Sequence, residues 1–342
     1  MKALSFNQVN SSKIVNIPKP EVKNDEVLIK VKAAGICYSD ISAYKGEHAF
    51  RKPPVISGHE FSGIIVEKGI SIKKLNIGDR VIVEPHIGCG SCFFCKHGQY
   101  HQCLKKRFIG TKEWPGAFSE YVIAKEAMCY IMPTKMSFEE AAIIEPYCVG
   151  LHAVRRAETK IGDSIAILGC GTIGITTLMG VNLTGFHNIL ITDISEKKRK
   201  FALQSGADLS VDPKKENLER ISNLYTNNLG FDIVFVAAPS NEVLKQAFRI
   251  CRRQGKIIMI SSFPSEVCFD ASELRIRERF LIGTSMYTSD DYCLAIDQWL
   301  KKSLNLKSLI TQKIQLEQTP EIIEKLANHI LPDDIKTIIF FD

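Results

Sequence analysis

Cysteine, histidine and glutamate can hold a transition metal and still leave it able to bind a substrate. This chain places them at three distant points. Cys37 lies in Ala34-Gly35-Ile36-Cys37-Tyr38-Ser39-Asp40, and His59 and Glu60 follow the turn-like run Pro53-Pro54-Val55-Ile56-Ser57-Gly58. Glu145 lies in the apolar run Ala141-Ala142-Ile143-Ile144-Glu145-Pro146. Brought together, a thiolate, an imidazole and a carboxylate make an open zinc site, with the last position left for water or substrate. A His-Glu pair alone is more often two polar residues at a loop end, so the argument rests on the set. A buried carboxylate needs a partner, and Glu145 has no basic neighbour in sequence, so metal or its water is the economical partner. A paired carboxylate without metal is the competing reading of Glu145, and the choice between Glu60 and Glu145 as ligand stays open.

A second metal signature is local. Cys89, Cys92 and Cys95 stand at Cys-x-x-Cys-x-x-Cys spacing, and Cys103 follows a short loop later. Four thiolates wrap one zinc tetrahedrally and leave no open position, which is structural rather than catalytic chemistry. An iron–sulfur cluster also uses four thiolates and is the rival. Gly88, Gly90 and Gly98 give the loop the freedom to fold round a metal. Nearby His97 and His101 read as exposed loop histidines.

A third constellation points to a dinucleotide. The apolar run Ser164-Ile165-Ala166-Ile167-Leu168 is followed at once by Gly169-Cys170-Gly171-Thr172-Ile173-Gly174 and a helical pattern. In that strand–turn–helix setting the first glycine allows the tight turn, the second lets backbone approach a pyrophosphate, and the third packs helix on strand. Asp193 ends the next apolar strand at about the interval where a carboxylate takes the ribose hydroxyls of NAD and repels the 2′-phosphate of NADP.

The elements that must position these groups fall into two kinds. Up to Glu145 the chain reads as short strands broken by Gly and Pro, with Val27–Ala33 the clearest, and implies a β-rich, barrel-like domain. After Glu145 a helix from Val149 to Ala157 leads into α/β alternation. Further strands are expected near Leu209–Val211, Asp232–Ala237, Lys256–Ser261 and Phe280–Ser285, giving a doubly wound parallel sheet. Ala237 and Ala238, with Ser261 and Ser262, then lie at carboxyl ends of strands, where ligands bind in such folds. Helices are expected over Tyr292–Lys301 and Pro320–His329, and a final strand over Ile338–Phe341.

With 342 residues, 45% of them apolar, two soluble domains are the expected count. No apolar run approaches the roughly 18 residues of a membrane span. The first residues, Met1-Lys2-Ala3-Leu4-Ser5-Phe6, lack the apolar core of a signal peptide, so a cytoplasmic location is expected. The net charge of +6 is dispersed, and Lys197-Lys198-Arg199-Lys200 reads as a solvated helix face rather than a nucleic-acid patch. Eleven cysteines in such a chain suggest metal sites and buried thiols rather than disulfides.

Together these motifs resemble the zinc-containing medium-chain dehydrogenase/reductase family from end to end. Ile144-Glu145-Pro146-Tyr147-Cys148-Val149-Gly150-Leu151-His152-Ala153 resembles its sorbitol and polyol branch; the alcohol dehydrogenases of that family carry a cysteine ligand where this chain has Glu145. The resemblance implies a GroES-like catalytic domain over 1–148 and 287–342, with a structural zinc lobe over 88–104, and a Rossmann NAD-binding domain over 149–286. It implies one catalytic and one structural zinc, NAD as cofactor, an alcohol or ketone substrate, and a homodimer or homotetramer. Ser39 by itself reads as a helix N-cap; the resemblance makes it the first acceptor in a proton relay, for which a hydroxyl suits because it donates and accepts at once. Relatives carry a relay histidine a few residues on, where this chain has Ser42, and His48 is out of register. Lys198 matches a position flanking the adenosine. Gly110–Val122 resembles the family's return strand, with Gly116–Val122 its most familiar part, and Trp114, on the loop before that part, is a candidate wall of the substrate pocket or, equally, a surface-packed residue. Tyr287 matches the tyrosine of an Arg-Tyr pair that contacts the polyol, with Met286 replacing the arginine. The expected reaction is zinc-assisted oxidation of a secondary alcohol to a ketone. An L-threonine 3-dehydrogenase-like enzyme shares nearly every motif. A metal-free quinone-reductase relative would lack Cys37, His59 and the four-cysteine lobe, and a non-catalytic zinc-ribbon module would not carry the glycine fingerprint and Asp193.

Overall fold

Ile165–Leu168 is apolar and buried on both faces, and the strand Ser164–Leu168 lies at the middle of a six-stranded parallel sheet. The computed structural model describes residues 1–185, 188–263 and 266–342. In spatial order the strands of this sheet are Leu209–Val211, Asn188–Thr192, Ser164–Leu168, Phe231–Val236, Cys251–Met259 and Phe280–Gly283. By chain position that is third, second, first, fourth, fifth, sixth, the doubly wound order with its reversal beside Ser164–Leu168. Ala166, Leu168, Leu190, Val234, Val236 and Ile257 form its buried core. The sheet belongs to a unit spanning Pro146–Tyr287; the remainder, Met1–Glu145 with Thr288–Asp342, is a second unit.

That other unit is β-rich. Its seven-stranded sheet centres on Glu26–Gly35, which pairs with Glu60–Lys68, Lys336–Phe340 and Tyr121–Lys125. Register matters more than composition here. Gly35 lies opposite Glu60 on one side and Ile338 on the other. The sheet thereby brings three chain segments to the end of one strand, two residues before Cys37. Gly35 is required there, because a side chain would collide with the Glu60 carboxylate.

Element boundaries moved in ways that bear on the site. The helix expected from Val149 begins at Ile144, which places Glu145 in its first turn and Pro146 where a missing N–H costs little. The return strand expected from Gly116 to Val122 runs instead over Tyr121–Lys125. Residues 116–118 are committed to the His59 turn. Gly116 N–H donates to the Ile56 carbonyl (2.8 Å), Ala117 to Gly58 (2.9 Å) and Phe118 to Ser57 (3.0 Å). The helix expected at Tyr292 starts at Ser289, where Thr288 and Asp291 form a capping box. Lys200 pairs with Glu196 on an exposed helix face, in line with the solvated reading of that basic run. No helix among the described residues is long and apolar enough to cross a membrane.

Candidate active site and metal centres

Cys37 caps the short helix Tyr38–Tyr44, and this turn builds the site's polar frame. Asp40, at the third helical position, accepts the Cys37 backbone N–H at 2.9 Å. Its other oxygen accepts the Ser57 hydroxyl and the Gly58 N–H (3.3 Å), so one buried carboxylate ties the Cys37 turn to the His59 turn. The N-cap is therefore Cys37, and Ser39 is free of the capping role that its residue type suggested.

The tie brings the expected ligands together. One ligand atom each of Cys37, His59 and Glu60 lies within 4.8 Å of the others, with no other acid, histidine or cysteine in the same group among the described residues. Glu145 is buried at 6% exposure but lies outside that group. His59 Nδ1 faces Asp40 Oδ1 at 3.5 Å. Burial works against the Asp40 charge, yet His59, Arg51 and Ser57 hold its carboxyl well below the usual range. Burial and Arg51 likewise oppose a charge on His59, and Asp40 overrides them, pushing the metal-free imidazole up to about 10. With Nδ1 directed at Asp40, Nε2 is the nitrogen left for a metal. This donor set, one thiolate, one imidazole and one carboxylate behind an orienting acid, fits zinc.

Three charged residues of the site carried no signal in sequence reasoning, or only a faint one. Asp40's signal, an acid three residues after the cap, is visible only once the structure shows that Cys37 rather than Ser39 is the cap. Lys336 had none. It is 1% exposed, and its ammonium bonds both Glu60 oxygens (2.9 and 2.7 Å) and the Ile36 carbonyl (3.0 Å). Arg51 had none either; its Nη1 lies 3.1 Å from Ser39 Oγ and 3.1 Å from His59 Nδ1. His48 does not replace the missing relay histidine. Its Nδ1 accepts the Phe50 and Arg51 backbone N–H groups (3.3 and 3.2 Å), and burial pushes its pKa down to about 4, so it is a poor proton acceptor.

The four-cysteine lobe converges. Ligand atoms of Cys89, Cys92, Cys95 and Cys103 all lie within 4.8 Å of one another. Cys103 Sγ accepts the Cys89 and Lys105 N–H groups, both at 3.3 Å. Backbone N–H groups of Ser91 and Cys92 and the Ser91 hydroxyl pull the Cys89 thiol down to about 5, which favours the thiolate a metal needs. All described cysteines are free of disulfides. His97 is exposed as expected, whereas His101 is buried at 9% exposure.

In the other unit the glycine turn has the expected form. Gly169 adopts φ 117°, Gly171 caps the helix Thr172–Asn182, and any side chain at Gly174 would strike the Gly169 carbonyl. Thr172 and Ile173 open that helix. Asp193 Oδ2 accepts the Cys170 N–H at 2.9 Å and Oδ1 accepts the Ser195 N–H at 2.8 Å, which fixes the carboxylate beside the turn. Lys198 is in the first turn of the helix Glu196–Gln204. Ala237 and Ser261 sit at the carboxyl ends of their strands, hydrogen-bonded to Leu168 and Val236.

Both residues expected near the substrate are buried. Trp114 is a core residue at 6% exposure; its indole N–H donates to the Ile123 carbonyl (2.8 Å) and Arg107 lies over its ring. Packing accounts for it without a substrate. Tyr287 is fully buried.

Comparison with known proteins agrees with this geometry. Residues 23–134 match the alcohol dehydrogenase GroES-like domain, and residues 172–301 match the zinc-binding dehydrogenase model. The chain is 33% identical over 332 residues to sorbitol dehydrogenase of Bacillus subtilis, covering 95% of this chain and 93% of that one. It is 34% identical over 330 residues to D-arabitol-phosphate dehydrogenase of Enterococcus avium, covering 95% and 92%. Among solved structures, a zinc-binding dehydrogenase of Sinorhizobium meliloti bound to NADP superposes with a TM-score of 0.92 at 28% identity, covering 99% of each chain.

Proposed function

Because the chain belongs to the zinc-binding dehydrogenase family, oxidoreductases that act on CH–OH groups, we propose that it oxidises a secondary alcohol of a polyol or polyol phosphate to the ketone, with NAD as acceptor. The observation that carries this reading is the convergence of Cys37, His59 and Glu60 within 4.8 Å. When bound there, zinc supplies the Lewis acidity that lowers the pKa of a substrate hydroxyl. Cys37 and His59 are two of its ligands. Glu60 would be the third, or Glu145 in its place; both acids lie near Lys336, whose pKa is held up against burial by Glu60, then Cys37, and less by Glu145.

The chain's own groups do the rest. Asp40 holds the His59 tautomer and ring orientation. Ser39 accepts the hydroxyl proton and passes it to water, since neither Ser42 nor His48 offers a basic imidazole. The Gly169–Gly174 turn and the start of helix Thr172–Asn182 receive the pyrophosphate. Asp193 takes the ribose hydroxyls, Lys198 flanks the adenosine, and Ala237 and Ser261 line the strand ends. The Asp193 carboxylate supports NAD over the NADP bound by the Sinorhizobium meliloti relative, because it would repel a 2′-phosphate. Cys89, Cys92, Cys95 and Cys103 would hold a second, structural zinc.

The test is NADH formation with sugar alcohols, inositols, polyol phosphates, L-threonine and simple alcohols, with zinc measured on the same sample. Turnover of a polyol or polyol phosphate with about two zincs per chain is expected, one per site. Turnover of L-threonine alone would move the assignment to the amino-alcohol dehydrogenases.

A further inference from the structure

Arg51 is 4% exposed and has no carboxylate partner among the described residues. A guanidinium offers five N–H donors in a planar fork. Here both side-chain contacts come from one nitrogen: Nη1 meets Ser39 Oγ and His59 Nδ1, each at 3.1 Å. Nε is buried with no hydrogen-bond partner; Nη2 also makes none among the described residues but is not buried. Asp40, whose charge interacts with that of Arg51, already accepts Cys37 N–H, Gly58 N–H and the Ser57 hydroxyl. The Nη1 contacts hold this cation beside the Ser39 hydroxyl, the group proposed above to meet the reacting alcohol. Leaving the buried Nε donor unsatisfied is costly, and the Nε–Nη2 edge, open at Nη2, is the one that grips an oxyanion through two parallel bonds.

We propose that Arg51 is the specificity-determining residue of this site and selects an anionic polyol, one carrying a phosphate or carboxylate close to the carbon that is oxidised. The inference rests on the alcohol dehydrogenase reading given above. The closeness follows from Nη1 already touching Ser39, since a distant anion would bypass this side chain. The anion stays intact: the CH–OH carbon is oxidised to C=O, NAD is reduced to NADH, and one proton is released.

The test uses the zinc-loaded chain, as wild type, Arg51→Gln and Arg51→Lys, with zinc content confirmed for each. Three substrates of one stereochemistry separate the sources of charge: D-arabitol, its phosphate ester and D-arabinonate. The expected result is a kcat/KM for one anionic substrate roughly 100-fold or more above the neutral polyol. That ratio should fall about tenfold or more in Arg51→Gln and be partly kept in Arg51→Lys, whose charge remains but whose fork is lost. The phosphate and the carboxylate arms show which anion is read. A neutral polyol used as well as both anions, or a ratio unchanged in Arg51→Gln, overturns the proposal. If no substrate turns over, the polyol reading fails by itself, and calorimetric titration with inorganic phosphate decides on Arg51: binding by wild type that disappears in Arg51→Gln upholds the anion site, and equal binding or none sinks it.

Discussion

Lys336 and Glu60 form a buried, two-bonded ion pair across 276 residues of sequence, with both side chains 1% exposed. Neighbouring strands create it: Gly35 lies opposite Glu60 and Ile338, so the first residue of Lys336–Phe340 reaches the acid beside His59. Removing one partner strands the other charge. Lys336→Met should lower unfolding stability by about 3–5 kcal/mol, and adding Glu60→Gln should restore much of it. Urea unfolding of the single and double variants checks this; equal losses in both would show that the pair is not coupled.

The two metal centres should separate by mutation. Cys37→Ser should abolish turnover and remove about one zinc per chain, while the four-cysteine lobe keeps its own. Cys95→Ser should remove the other zinc and open residues 88–104 to proteolysis, because that lobe depends on metal for its structure. Metal analysis with limited proteolysis reads both. Full activity in Cys37→Ser would discard the catalytic scheme.

Zinc retention at the Cys37–His59–Glu60 centre should weaken as the solution is acidified. A ligating imidazole must give up its proton, and in the metal-free chain Asp40 raises His59 to about 10. Proton and metal compete over the whole physiological range, so affinity should rise by about tenfold per pH unit. Chelator competition at several pH values measures the slope, and a flat profile would remove His59 from the ligand set.

Glu84 gives stability its own pH dependence. It is 2% exposed and accepts the Tyr100 and Tyr130 hydroxyls at 2.6 and 2.7 Å. Burial, with help from Asp291 and Glu145, outweighs those bonds and pushes its carboxyl up to about 7. A raised acid pKa means that the folded chain keeps a proton the unfolded chain has lost. This contribution is fully present below the unfolded value and is lost as pH rises towards 7. It amounts to about 3 kcal/mol, at 1.36 kcal/mol per pKa unit. Glu84→Gln should flatten that part of the stability–pH curve, as followed by denaturant melts between pH 5 and 8; an unchanged slope would assign it elsewhere.

Cofactor choice should yield to Asp193. Asp193→Ser removes the charge that faces a 2′-phosphate, and the NADP-to-NAD ratio of kcat/KM should rise by about tenfold or more. The carboxylate also receives the Cys170 and Ser195 N–H groups, so the turn should loosen and NAD itself bind less well. Steady-state kinetics with both cofactors separates these effects, and an unchanged ratio would show that Asp193 does not read the ribose.

The amino-acid sequence by itself determined whatever depends on short spacing. The cysteine ladder, the glycine turn with Asp193 and the alternation of strands and helices are each set within about thirty residues by loop geometry and hydrophobic period. Asp40 became legible only with the tertiary structure, because Ser39 is the better capping residue type and the cap is Cys37. Tertiary structure decided the charges that surround the ligands. Strand register, not composition, delivers Lys336 to Glu60, and a loop fold turns Arg51 back onto Ser39 and His59. It also decided that Trp114 and His101 are buried, since a side chain's exposure depends on what distant segments cover it. Neighbours across a sheet have no fixed spacing along the chain, so nothing in a linear pattern announces them.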